Sequence, residues 1–360
     1  MLATKRKKRI LVAPINWGLG HATRCIPIIK ALILNNYNPI IASDGYSLKL
    51  LQKEFPELES IELPSYNIRY SKSGHLLKLK LLVSTPRILR NIKLEKRTIA
   101  EIVKNLKIDG IISDNRFGAY HKNLPCVFIT HQLKVLSGNT TWLSTKIHQN
   151  IIQKFQECWV PDILGKNNLS GRLGNIKTQK FRVKHIGPLS RFEKSTNTFT
   201  EYSYDLMVLI SGPEPQRTLF ENKLYRKLKE YNGSIIFIKG IVETQQNVSK
   251  VKNFTFYNYM TSKQLEKAIK QSNIIISRSG YTTIMDLTKL SKKAFFIPTP
   301  GQFEQRYLAK YLDEKGIVPS CSQGEFNVAQ LKRINAYKGL KTLENKDVDY
   351  GRLFGLFEGK

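Results

Sequence analysis

The sequence predicts an α/β protein built from two doubly wound units that face each other across a cleft. Three observations carry that expectation. Short β-rich runs alternate with longer helical stretches, the pattern of parallel sheets joined by crossover helices. The alternation occurs twice, in two series separated by one polar stretch. The chain of 360 residues suits two domains at about 150 residues each. Its 41% hydrophobic and 10% aromatic content supplies packed cores, which excludes a disordered basic tail.

In the first series the strand candidates are 9–15 (RILVAPI), 38–43, 60–63, 109–114 (DGIISD), 125–130 (PCVFIT), 157–161 and 183–187. Residues 188–204 begin with Pro, are polar and lack an apolar period, so they read as a linker. The second series has strands at 205–211 (DLMVLIS), 234–239, 254–257, 273–277 and 294–298, with helices at 264–272 and 304–315 among the intervening stretches. The expected organisation is a first domain over 1–187, the linker, a second domain over 205–338, and a tail over 339–360 that packs back on the first domain.

No apolar run approaches the roughly 18 residues that cross a bilayer. The start, MLATKRKKRILVAPINWG, opens basic, but its apolar run ends at a Pro within about five residues, short of the roughly 7–15 of a secretory signal. Cys25, Cys126, Cys158 and Cys321 are scattered, with no C-x-x-C pair and no His at metal-ligand spacing. Reduced thiols in a cytoplasmic compartment are expected.

Against 28 acidic residues stand 58 Lys and Arg, a net charge of +30, so the expected partner is anionic: nucleic acid, a membrane surface or a phosphorylated substrate. About two-thirds of the surplus falls in the first 200 residues. The densest stretch, 69–97, has nine basic residues and one acid, Glu95, interleaved with leucines. It reads equally as a basic surface for anionic lipid headgroups and as a solvated helix with a core-facing stripe. No aromatic stacking platform or nucleic-acid reading module accompanies it, which disfavours nucleic acid.

Three glycine-marked turns carry the chemistry. In the first, a strand runs into Gly18-Leu19-Gly20-His21 and a helix with Ile26, Ile29 and Leu32 or Ile33 follows. Glycines admit close backbone approach, and a helix N-terminus offers free N–H groups. Thr23 replaces the third glycine of a dinucleotide fingerprint, and a tight βα turn alone reads the same way. The second turn, Ser211-Gly212 before Pro213-Glu214-Pro215, has the same two readings. The third is the most specific. A strand ends at Ser277-Arg278-Ser279-Gly280 before a helix, a candidate phosphate cradle, with Asp286 one turn on for a ribose. The next strand delivers Gln302, Glu304 and Gln305 to the same edge, side chains suited to sugar hydroxyls or to a solvated face.

These residues resemble the donor-binding half of GT-B glycosyltransferases, which have two facing Rossmann-like domains. The nearest likeness is to glycosyltransferase family 28, which includes transferases adding N-acetylglucosamine to a lipid-linked peptidoglycan precursor. The likeness covers 254–312 in detail. Ser277 to Gly280 match the S-R-S-G signature, Asp286 stands for the family's acidic ribose ligand, and Gln305-Arg306 for its paired glutamines. Tyr257 falls where the uracil is framed, and Ser211-Gly212 at the phosphate loop. Gly18 to His21 resemble its first glycine loop, and NWGLGHATRCIP is similar to a group of uncharacterised bacterial and archaeal glycosyltransferase-like proteins.

The resemblance implies transfer of a hexose or N-acetylhexosamine from a nucleotide diphosphate sugar, a UDP-sugar favoured, to a hydroxyl acceptor, with inversion. A lipid-linked acceptor would place the protein at the inner face of the plasma membrane. Near-neutral general bases suit such a step. His21 is the first candidate, oriented by Asp114, because the strand C-termini of a parallel sheet open on one edge. His131 is the alternative. The nucleotide sugar is a co-substrate, and neither a cofactor nor a metal is expected: Asp347-Val348-Asp349 sits in the tail with no strand before it. A nucleotide-sugar 2-epimerase and a non-catalytic polyanion or nucleotide-sugar binder are the alternatives.

Overall fold

The computed structural model describes residues 6–66, 77–176, 180–193, 202–342 and 347–359. The first sheet takes β1 (Arg9–Pro14), β2 (Asn38–Ser43), β3 (Ser60–Glu62), β4 (Gly110–Asp114), β5 (Cys126–Ile129), β6 (Glu157–Val160) and β7 (Val183–His185). Their order is β3-β2-β1-β4-β5-β6-β7, parallel throughout. The second sheet takes β8 (Tyr204–Leu209), β9 (Ile235–Ile238), β10 (Val248–Val251), β11 (Phe254–Tyr257), β12 (Ser272–Ser277) and β13 (Lys293–Phe296) in the order β10-β11-β9-β8-β12-β13. Only the β10–β11 pair is antiparallel.

Strand order reverses between β1 and β4, and again between β8 and β12. Parallel sheets bind ligands at the carboxyl edge of such points. The register sets Pro14 opposite Asp114, so the turn after β1 and the end of β4 are neighbours. Every strand expected from the sequence is present. The unforeseen strand, β10, is an exposed edge (Val-Ser-Lys-Val) with no apolar run to announce it.

The nine α-helices among the described residues are α1 (Leu19–Leu34), α2 (Gly45–Glu54), α3 (Leu77–Leu106), α4 (Thr141–Ile152), α5 (Gln216–Leu228), α6 (Ser262–Lys270), α7 (Tyr281–Lys289), α8 (Phe303–Glu314) and α9 (Tyr350–Phe354). None is long and apolar enough to cross a membrane. One apolar cluster runs through both halves, from Val12 and Ile26 to Met207, Ile284 and Leu308.

The stretch read as a polar linker departs from that reading at its start. Leu189 and Phe192 are buried, and Leu189 N donates to Met285 Sδ at 3.3 Å. Two apolar side chains too sparse to form a period still find a core when the neighbouring helix supplies the rest of the contact. Residues 194–201 lie outside the described part. So do residues 69–76 of the basic stretch, together with its side chains through 85. In the tail, Phe354 sits 5.5 Å from the Tyr37 ring, and Lys8 Nζ donates to the Phe357 carbonyl at 2.6 Å.

Candidate active site between the two sheets

Residues 15–18 link β1 to helix α1, with Gly18 as N-cap at φ 81°, a conformation that favours glycine. This tight start places His21 and Arg24 three residues apart on one helix face, against the end of β4. His21 Nδ1 lies 2.8 Å from Asp114 Oδ1. The Arg24 guanidinium forks onto the same carboxylate through Nε and Nη2. Arg24 Nη2 also lies 2.9 Å from His21 Nδ1, and Nη1 lies 3.2 Å from His131 Nδ1. Asp114 and Arg24 are buried, while the His21 side chain keeps 17% exposure.

Charge accounts for the protonation states. Burial, then the Arg24 cation, push the His21 imidazole below its ordinary value, so it is neutral near pH 7. Burial pushes the Asp114 carboxyl up, but Arg24 and His21 outweigh it and hold it down to about 2. An ionised carboxylate next to Nδ1 accepts the proton of a neutral imidazole there. Nε2 then carries the lone pair, and it has no hydrogen-bond partner among the described residues.

The second half closes over this cluster. Gly18 and Gly212 (φ 107°) face each other so closely that a β-carbon on Gly18 would stand 3.7 Å from Gly212 Cα. Thr282 Oγ1 of α7 donates to the Gly20 carbonyl at 3.0 Å. Tyr281 stacks on the His131 ring at 4.2 Å and donates to the Pro161 carbonyl at 2.8 Å. Glu304, in the first turn of α8, accepts from His131 Nε2 at 2.7 Å and from Gln132 Nε2. Although burial pushes its carboxyl up, His131, His21 and Arg24 hold it below its ordinary range.

The structure thus brings His21, Asp114, His131, Glu304, Gly18, Gly20 and Gly212 together. Ser211, half-buried, follows β8 beside Gly212, and Gln302 is the N-cap of α8. Gly280 is the N-cap of α7, and no protein atom stands closer than 3.9 Å to where its β-carbon would be. Tyr257 ends β11, part-buried against the core cluster.

Other expectations need correction. Arg278 turns away from the cleft. Its guanidinium donates to the carbonyls of Ile297, Pro298 and Gln216 and to Gln323 Oε1, and lies 3.6 Å over the Phe220 ring. Burial brings it down to about 9. The Ser279 hydroxyl donates to the Gln305 carbonyl at 2.8 Å instead of facing a phosphate. Asp286 is sealed under the segment after β7: it accepts from Ser190 Oγ at 2.8 Å and lies 3.3 Å from Arg191 Nε. Burial pushes its carboxyl up, with Arg191 opposing. The Gln305 amide oxygen accepts from Thr299 N at 2.8 Å, and Glu304 faces the opposite half rather than solvent. His131 has no free lone pair in this arrangement, because Nδ1 accepts from Arg24 and Nε2–H donates to Glu304. The tail's Asp347 pairs with Lys289 at 2.6 Å and Asp349 caps α9, so both have structural partners.

Sequence reasoning missed Arg24, Gln132, Tyr281 and Thr282. Only Arg24 left a signal, a cation three residues after His21 on a helix that faces an acid-ended strand.

Residues 219–339 match the glycosyltransferase family 28 C-terminal domain. A UDP-N-acetylglucosamine–N-acetylmuramyl-(pentapeptide) pyrophosphoryl-undecaprenol N-acetylglucosamine transferase of Buchnera aphidicola subsp. Schizaphis graminum is 26% identical over 349 residues, covering 91% of this chain and 88% of the relative. An uncharacterised glycosyltransferase of Methanosarcina acetivorans is 23% identical, covering 86% of this chain and 84% of its own. Among solved structures, the glycotransferase of kitacinnamycin superposes with a TM-score of 0.62 at 12% identity, over 98% of this chain and 94% of that one. Fold and relatives together define a nucleotide-sugar glycosyltransferase of the GT-B fold. Within that class the chain is family-28-like, with uncharacterised archaeal relatives.

Proposed function

We propose that this glycosyltransferase moves an N-acetylhexosamine or hexose from a UDP-sugar to a hydroxyl of a lipid-linked acceptor, with inversion and without a required metal. The observation that carries the reading is the His21–Asp114 pair, held at 2.8 Å with Nε2 left for the acceptor. Nε2 takes the acceptor proton as the acceptor oxygen attacks the anomeric carbon. The bond to the diphosphate breaks, and the leaving nucleoside diphosphate keeps the electron pair. Asp114 stabilises the imidazolium formed. The uncapped N-termini of α1 and α7, brought together by the Thr282–Gly20 contact, face the developing negative charge. Family 28 relatives named for a UDP-N-acetylglucosamine donor and an undecaprenol-linked acceptor support the choice of substrates. All are named transferases, which lends no support to the epimerase or binder alternatives.

A peripheral station at the cytoplasmic membrane face agrees with the surface of the first half. Trp142, Leu143 and Ile147 of α4 and Leu89 and Leu94 of α3 are exposed, and Arg87, Arg90, Lys93 and Lys96 share α3. Both helices rest on the same edge: Glu95 of α3 accepts from Gly118 N, and His148 of α4 packs on Phe117.

The decisive experiment assays transfer from UDP-N-acetylglucosamine to a polyprenyl-diphosphate-linked saccharide, with and without chelator. Wild type turns over in both. His21→Ala loses about 10²–10⁴-fold in kcat while donor-induced thermal stabilisation persists. Unchanged turnover removes His21 as base, and loss with chelator overturns metal independence. For the membrane reading, Trp142→Ser lowers sedimentation with anionic vesicles and leaves turnover on a soluble acceptor analogue intact. Equal sedimentation of the two proteins would reject that surface.

A further inference from the structure

The proposed chemistry assigns no role to Arg24, the cation at the centre of the cluster around His21. Arg24 is fully buried, and every nitrogen of its guanidinium has a partner inside the site. Nε and Nη2 donate to Asp114 and Nη1 donates to His131 Nδ1 at 3.2 Å, while Nη2 only sits beside His21 Nδ1 at 2.9 Å, whose own proton goes to Asp114. Guanidinium can only donate. His131 Nδ1 must therefore be unprotonated, which puts its proton on Nε2, where the Glu304 carboxylate accepts it at 2.7 Å. The chain of partners runs from α8 of one half, through the loop after β5, to α1 and β4 of the other.

We propose that Arg24 is the positioning residue of this site, locked from the opposite half of the molecule by Glu304 through His131, so that the His21–Asp114 pair is set only while the cleft is shut. The proposal deepens the base assignment above and rests on it for its catalytic meaning.

Two physical consequences make it specific. A fixed cation beside Nδ1 disfavours imidazolium, keeping His21 neutral and able to take a proton. The fork also holds both oxygens of Asp114, so the carboxylate cannot rotate off the ring. The other titratable groups facing this point are the Cys25 thiol, 3.7 Å from Asp114 Oδ2 on α1, and Tyr281, stacked on His131 from α7. Neither supplies a cation. Glu304, assigned from the sequence to sugar hydroxyls, takes a different role: its carboxylate spans the cleft and acts through His131. Separating the halves removes the acceptor from His131 Nε2, frees the ring to exchange tautomers, and releases one of the three contacts that orient the guanidinium.

The test reads the ring nitrogens of the six histidines by ¹⁵N NMR in the ligand-free full chain. Resonances are assigned through His21→Gln and His131→Gln. In wild type, His131 shows the Nε2–H tautomer and His21 titrates below its free value. In Arg24→Gln, with the cation gone and Asp114 left to pair with the imidazolium, the His21 midpoint rises by about one pH unit or more. Arg24→Lys, which restores a cation, brings it back toward wild type.

Glu304→Ala replaces the single His131 tautomer with a mixture, and Glu304→Gln, which keeps an acceptor carbonyl, preserves it. Should Arg24→Gln fail to fold, the part-exposed Glu304 series carries the test. An Nδ1–H tautomer at His131 in wild type, an unmoved His21 midpoint in Arg24→Gln, or an unchanged His131 tautomer in Glu304→Ala each overturns the proposal. No donor or turnover enters these readings. An inactive enzyme with the expected titrations would sink the functional reading and leave this one standing, and the converse result would do the opposite.

Discussion

The two halves of the site differ in how their sequence signal relates to their geometry. Ser277 to Gly280 and Asp286 in the second half form the most specific motif in the chain, yet the side chains of Arg278, Ser279 and Asp286 all turn inward onto protein partners. In the first half the motif is thin, a Gly-x-Gly-His turn, yet its His21 meets Asp114 of another strand at 2.8 Å. The motif in the second half therefore fixes a backbone turn and its packing, which positions the N-terminus of α7. The one in the first half positions the side chain of the proposed base. Motif specificity measures how many constraints a turn obeys, whether those constraints come from a ligand or from the fold.

The largest expected effect tests the first half. Asp114→Asn leaves Arg24 buried without its counter-charge and should cost about 3–5 kcal/mol in chemical denaturation. The acid limb gives the sign. The folded value of Asp114, about 2, lies below the ordinary value of about 4. Its stabilisation is then complete above pH about 4 and lost as pH falls toward 2, by roughly 2 kcal/mol. Wild type should lose stability across that window more steeply than Asp114→Asn. Parallel curves would mean that the pairing is not as drawn.

The next tests the second half. Arg278→Ala removes a buried guanidinium lying on Phe220 and four hydrogen bonds, at a cost of about 2–4 kcal/mol. Donor affinity, read by titration calorimetry below the melting temperature, should hold within about twofold, under 0.5 kcal/mol. A large loss of affinity with little loss of stability would return Arg278 to the donor and erase the contrast between the halves.

The smallest effect concerns the line where the halves meet. A β-carbon at Gly20 would stand 3.1 Å from Thr282 Oγ1, whereas one at Gly280 meets nothing inside 3.9 Å. Gly20→Ala should lower kcat/KM a few-fold, about 1 kcal/mol or less, by pressing the halves apart, and Thr282→Ala should relieve it. Gly280→Ala should leave the melting temperature unchanged and weaken donor binding. If Gly20→Ala is silent, the Thr282 contact is not part of the working geometry.

The strands were legible because each is a local apolar run, and β10 was not because an exposed edge strand needs no such run. The His21–Asp114 pairing was legible only in part: in a parallel sheet all strand C-termini open on one edge, but that β1 and β4 are neighbours on it came from the fold. The inward turn of Leu189 was not legible, since its partner Met285 lies on a helix almost a hundred residues downstream.

By itself, then, the sequence determined the two βα series, the glycine turns at their strand ends and the shared edge to which those turns belong. Those follow from local periodicity and backbone conformation. Only the tertiary structure decided where the long charged side chains go. Arg24 meets Asp114 across 90 residues and His131 meets Glu304 across 173, while Arg278 turns to carbonyls of its own half. The direction of a guanidinium or a carboxylate is set by whichever partner compensates its desolvation, and that partner is known only once the chain has folded.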